Sequence, residues 1–225
     1  MLLAEEYLLL ARKEDTGKLL VSVQHLRLAV SGALLIELVL RERLSVTAHD
    51  LPWRERDRLT LLLESSTEDR ILDLALVEAV KQVGHKPKDA LGRWCNGRTG
   101  KMLTDEVTGR LVESGILGRE QHTVMGVINL TNYPERDPEP EREVRQRINA
   151  ALMGGEPSAR TAALIGLLDA TDLLLRVISP ETDKRAARRR AKEIAASDWG
   201  AKAVQDAIAQ VRASVGAAAV VAANP

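Results

Sequence analysis

The chain has 225 residues, 45% of them hydrophobic and 28% charged, a foldable composition that one domain spanning residues 1–225 can hold. Lys and Arg together number 32, as do Asp and Glu, so no global field draws the chain to nucleic acid or to an anionic membrane, and any such binding must come from a local patch. Cys95 stands alone and excludes an internal disulfide, while Glu5 and Glu6 occupy the place where a secretory signal needs positive charge, so a cytoplasmic setting is expected.

With no Phe and 2% aromatics, the core must be filled by Leu, Ala, Val and Ile. That mixture predicts a mainly α fold: a globular helical domain around a central buried apolar helix, with short strands and one β-hairpin. In chain order, Leu2 to Ala11 reads as a short helix, Asp15-Thr16-Gly17 as a turn and Leu19 to Val23 as a short strand. Leu26 to Arg43 is helical, and Ala33 to Leu40 is apolar on nearly every face, which places it inside the fold. Leu44 to Ala48 and Arg58 to Glu64 read as strands around Pro52, followed by an amphipathic helix from Ile71 to Val83 that Gly84 ends. Residues 84–101, rich in Gly, Lys and Arg, predict a loop with a short helix from Asp89 to Cys95. Thr104 is the expected cap of the next helix, with Leu103, Val107 and Leu111 on its buried stripe and Gly115 at its end.

Ile116 and Leu117, a turn over Gly118 to His122, and Thr123 to Thr131 read as a hairpin; Tyr133 to Glu141, with three prolines, reads as an irregular connector. Arg142 to Met153 is an amphipathic helix, and Ser158 to Ile178, apolar around its circumference, is expected to be the central post, stopped by Pro180. Asp183 to Ala196 is a basic surface helix and Ala201 to Ala222 a last Ala/Val helix packed on the post. Val215 to Ala223 is apolar but far short of the ~20 residues that span a bilayer.

Gly97-Arg98-Thr99-Gly100-Lys101 lacks the first glycine and the final hydroxyl of a nucleotide-binding P-loop, because Cys95 and Met102 stand there. What survives is a basic loop with Arg93, Arg98 and Lys101 leading to a helix, chemistry suited to an anionic headgroup. The histidines at 25, 49, 85 and 122 have no ligand spacing and Cys95 has no CxxC partner, so no metal and no cofactor is expected. No catalytic motif is present in the sequence, which favours binding over catalysis. The basic run Lys184 to Lys192 reads as a solvated helix face, diluted by Glu181, Asp183 and Glu193. A helix ending at Gly115 and followed by a hairpin also fits a winged-helix DNA-binding regulator or another interaction module, although Asp105, Glu106 and Glu113 oppose an approach to phosphates.

Three segments carry a resemblance: Leu34-Leu35-Ile36-Glu37-Leu38-Val39-Leu40-Arg41-Glu42-Arg43-Leu44, Arg110 to Leu117 with Leu130-Thr131-Asn132-Tyr133-Pro134, and Ala163 to Leu174. With the leading Glu5-Glu6-Tyr7-Leu8-Leu9-Leu10, they resemble the Golgi phosphoprotein 3 family, here in a bacterial-type member. The resemblance implies a non-catalytic peripheral membrane protein that binds phosphatidylinositol 4-phosphate and self-associates through its hairpin, here Leu117 to Leu130. The family's headgroup tryptophan falls at Ser22, its first arginine at Ser31 and its arginine pair at Lys101 and Thr104, so only Lys101 carries over. Arg27, one helical turn before Ser31, and Arg98 are the expected compensating cations.

Overall fold

The structure is a computed structural model and describes residues 1–124, 128–179, 182–196, 209 and 212–217. Among them the elements run α1 (Leu3–Leu10), α2 (Val23–Leu40), β1 (Leu44–Val46), β2 (Leu59–Leu61), α3 (Arg70–Val80), α4 (Pro87–Asn96), α5 (Arg98–Glu113), β3 (Glu120–Val124), β4 (Ile128–Asn132), α6 (Glu139–Leu152), α7 (Ala159–Ala170), α8 (Leu174–Val177) and α9 (Lys184–Ala196). The strands form two antiparallel pairs, β1 with β2 and β3 with β4. The fold is mainly helical, as the composition predicts.

The core is built on α2, which packs against α1, α3, α4, α5 and α7. Every residue from Leu28 to Val39 is buried, so the helix has no wet face over that stretch. By length and composition α2 is apolar enough to cross a membrane, yet 72% of it is already covered by its neighbours, the signature of a core helix. α7 is the second apolar helix, buried from Thr161 to Leu168, and α1 is buried along its whole length.

Burying α1 and α2 also buries three carboxylates, and the fold supplies an arginine for each. Glu5 accepts from Arg110 Nε at 2.7 Å, and Arg110 Nη1 reaches Asp69 at 2.7 Å. Glu6 accepts from Arg147 at 2.9 Å and from Arg160 Nε at 3.3 Å. Glu37 takes Arg160 Nη1 on both oxygens, at 2.9 and 2.7 Å, together with Arg41 at 3.3 Å and the amide of Leu3 at 2.8 Å. Burial works against the Arg160 charge, but Glu6 and Glu37 outweigh it and hold the pKa above its ordinary value. The network ties the start of α1 to α2, α5, α6 and α7, which are far apart in sequence.

Several elements differ from the sequence reading. Leu19 to Val23 is not a strand: Leu19 makes one bridge with Arg12, and Ser22 caps α2, its Oγ accepting from the His25 amide at 3.2 Å. The loop expected over 84–101 is nearly all helix, with Gly97 alone between α4 and α5. Thr104 therefore caps nothing; it lies inside α5 and its hydroxyl donates to Gly100 O at 2.7 Å. The hairpin strands are 120–124 and 128–132, so residues read as the turn form the first strand, while Leu117 bridges Glu135. Ser158 to Ile178 is not continuous: α7 stops at Thr171, whose hydroxyl bonds back to Leu167 O at 2.8 Å, and Asp172 takes a positive φ of 56° before α8. The central post is consequently α2. Pro180 and nearly all of the last predicted helix lie outside the described residues; 212–217 are helical and Val215 is buried.

One buried carboxylate gives the fold a pH dependence. Glu141 on α6 is 4% exposed and accepts from Arg145 Nε at 2.8 Å, while Arg145 also pairs with Glu14 and donates to Val177 O. Burial lifts its pKa from 4.5 to about 7, against the pull of Arg145 and with help from Glu135 and Glu14. The fold thus favours the protonated acid, a contribution that is full below pH 4.5 and lost as pH rises through about 7. Glu141→Gln, which never ionises, should raise stability at pH 8 by roughly 2 kcal/mol and flatten the decline. Urea midpoints measured across that range check it; a variant that declines as steeply as the parent would refute the assignment.

Candidate functional site

The corner where α2, α4 and α5 meet follows from three local facts. Gly97, at φ −100° and ψ −171°, is at once the end of α4 and the cap of α5. A Cβ on Gly100 would lie 2.6 Å from Trp94 O, so a glycine is needed for the first turn of α5 to rest on the end of α4. Cys95 Sγ sits 3.5 Å from Gln24 O, which brings the first turn of α2 to the same place.

Two of the three predicted headgroup residues lie on the elements of this corner. Arg98 is exposed as the first residue of α5. Arg27 is half-buried one turn into α2 and acts on Cys95: burial raises the thiol's pKa, and the Arg27 charge pulls it back. The cap residue of α5 is a glycine and gives this 16-residue helix no side-chain cap; the carbonyl end of α4 stands against its first turn instead.

Lys101 is placed differently. Its Nζ pairs with Asp105 at 2.5 Å, and the two line a groove of about 460 Å³ with Thr108, Glu113, Arg119 and Tyr133, running along α5 towards the base of the hairpin. The other positions assigned by the resemblance have structural work: Ser22 caps α2, Ser31 is wholly buried within it and Thr104 is buried in α5. Arg93, at the edge of the corner, donates to Gln82 at 2.6 Å, and Thr99 donates to Glu78 at 3.1 Å.

The remaining candidates separate on contacts. The DNA-reading alternative has little to stand on, since α5 carries Asp105, Glu106 and Glu113, and its Arg110 is engaged by Glu5 and Asp69. On α9, Ala187, Ala191 and Ile194 are buried while Arg190 bonds Ala151 O and Gly155 O, so the basic run is a docked surface helix. No group of three or more His, Cys, Asp or Glu among the described residues is placed to hold a metal ion.

The residues missed by sequence reasoning are Arg110, Arg147 and Arg160, partly exposed arginines that reach the buried acids. A signal for them exists: an acid inside an otherwise apolar buried helix, such as Glu37 within Leu34 to Leu40, requires a counterion from elsewhere. Glu5, Glu6 and Glu37 lie in segments that carry the resemblance, and here they organise the core. The family model of Golgi phosphoprotein 3 (GPP34) matches residues 3–211, from the start of α1 to beyond α9. On that near-complete match, the chain belongs to the Golgi phosphoprotein 3 (GPP34) family.

Proposed function

We propose that this chain is a non-catalytic peripheral membrane protein that binds acidic phospholipid headgroups, phosphatidylinositol 4-phosphate being the ligand class its family suggests. The observation that carries the reading is the pair Arg27, acting on Cys95, and exposed Arg98, carried by elements that meet at the corner of α2, α4 and α5. A phosphomonoester would accept from the guanidinium donors, which hold phosphate in two-point contacts. Lys101 has a lesser part, since Asp105 already neutralises it. The protein works at the cytoplasmic face of a membrane, and the hairpin segment Leu117 to Leu130 is its self-association surface.

Vesicle flotation tests this. Each basic residue near an anionic surface contributes about 1 kcal/mol, so the double variant Arg27→Glu, Arg98→Glu should bind vesicles containing phosphatidylinositol 4-phosphate at least about tenfold more weakly. Lys101→Glu should lose less. Equal binding to neutral and acidic vesicles, or an undiminished double variant, would remove the headgroup site.

A further inference from the structure

The loop between β1 and β2 carries a feature that the headgroup site does not use. Trp53 at its tip is 67% exposed, in a chain with three Trp, two Tyr and no Phe, where Trp94 and Tyr7 are buried. Leu51 beside it is 38% exposed, and the Arg54 guanidinium stacks over the indole at 5.0 Å.

The tip is rigidly held. Pro52 O accepts from the amides of Glu55 and Arg56 at 2.8 and 3.0 Å, closing a single turn with Trp53 at its apex. Thr47 bridges the two stems: its amide donates to Arg58 O at 2.9 Å and its carbonyl accepts from the Asp57 amide at 3.1 Å. Asp57, 6% exposed, anchors the base, meeting His49 at 2.8 Å, Lys86 at 3.6 Å and Arg56 at 3.9 Å. An indole on a preformed turn loses little conformational freedom on insertion.

The surroundings fit an anionic, partly apolar partner. Arg54 and Lys88 are exposed and Arg58 partly so, Arg56 and Lys86 pair with Asp57, and Asp50, Glu55 and Asp89 are exposed acids, so five cations face four acids and the balance is slightly positive. α4 links this loop to the headgroup corner: Lys86 at its start meets Asp57, and Cys95 near its end meets Gln24. Its exposed side carries Lys88 and Arg93. Tryptophan flanked by arginine is the pairing that settles at the boundary between headgroups and acyl chains.

We propose that the Leu51 to Arg54 tip is a membrane wedge, Trp53 entering the interfacial layer of an acidic bilayer while Arg54 and its basic neighbours stay among the phosphates. This rests on the headgroup reading and adds a second, apolar attachment at the other end of α4.

The test uses the full chain and vesicles of phosphatidylcholine, phosphatidylserine and phosphatidylinositol 4-phosphate, with part of the phosphatidylcholine brominated on its acyl chains as a quencher of tryptophan emission. The expected result is quenching that is largely lost in Trp53→Phe, and an affinity about tenfold weaker in Trp53→Ala with an unchanged thermal midpoint. No difference in quenching between the parent and Trp53→Phe overturns insertion, whatever the affinity does. If the Arg27→Glu, Arg98→Glu variant still weakens binding in that case, the headgroup reading survives alone; if the parent binds none of these vesicles, both fall.

Discussion

Glu37→Ala is expected to lower the unfolding free energy by about 3 kcal/mol, seen as a drop in the urea midpoint without a change in slope. The substitution removes the acceptor for Arg160 Nη1, for Arg41 and for the Leu3 amide in one step. Arg160 keeps a longer contact to Glu6 and one to Met1 O, which keeps the loss at the lower end of that for a buried pair broken on one side. Were the cost only that of lost packing, Glu37→Leu would be harmless; it too should destabilise, because the unpaired guanidinium remains. Removing both partners, as Glu37→Leu with Arg160→Met, should recover most of the loss. A double variant no better than the single would mean that the pair's charge is not what α1, α2 and α7 depend on.

That network bears on the corner with α4 and α5 through α2. One end of the helix holds Glu37, clamped by arginine; the other holds Ser22 and Arg27. A rod of 18 residues, ~27 Å long at the usual rise and buried through most of its length, moves as a unit. The first turn of α2, which meets α4 through Gln24 and Cys95, is thereby held by contacts at the far end of the same helix.

How much of this was legible in the sequence depended on the range of the interaction. The stripes Leu72, Ala75, Leu76, Ala79, Val80, Val83 and Leu103, Val107, Leu111 are local patterns; the second is buried as read and the first through Ala79, with Val80 half-buried and Val83, past the end of α3, exposed. Gly115 sits at its expected helix end with φ 76°. Errors came where a local signal had two readings. Val21 and Val23 suggest a strand, yet Ser22 between them offers a cap, and the apolar run that follows needs a helix start. Gly97 and Gly100 suggest a loop, but the second glycine is there for closeness to Trp94, a reason only the folded pair of helices supplies. The turn at Asp172 was hidden because apolar residues continue on both sides of it. For the site, charge could be counted but not placed: Lys101 and Arg98 are neighbours in sequence, and one helical turn separates a cation on the corner from one paired along α5. Pairings such as Glu6 with Arg160, across more than half the chain, leave no trace in any window of sequence.

Gly17→Ala should cost roughly 3 kcal/mol or more, for two reasons that a control can separate. Gly17 closes the turn after α1 at φ 63°, where a side chain is strained, and a Cβ there would stand 2.1 Å from the Tyr133 carbonyl carbon and 2.4 Å from the Pro134 nitrogen. Those are backbone atoms at the exit of the hairpin and cannot swing aside. The same point is latched by Arg12, which donates to Gly17 O at 3.1 Å and lies over the Tyr133 ring at 4.8 Å, its pKa lowered to about 10 by burial. Gly84, at φ 82°, has nothing within 4 Å of its would-be Cβ, so Gly84→Ala pays only the backbone strain of about 1–2 kcal/mol. The difference between the two variants in urea unfolding is the cost of parting the hairpin exit from the α1 to α2 turn. Equal losses would show that Tyr133 and Pro134 yield freely, and that the hairpin is not anchored to the body of the fold through Gly17.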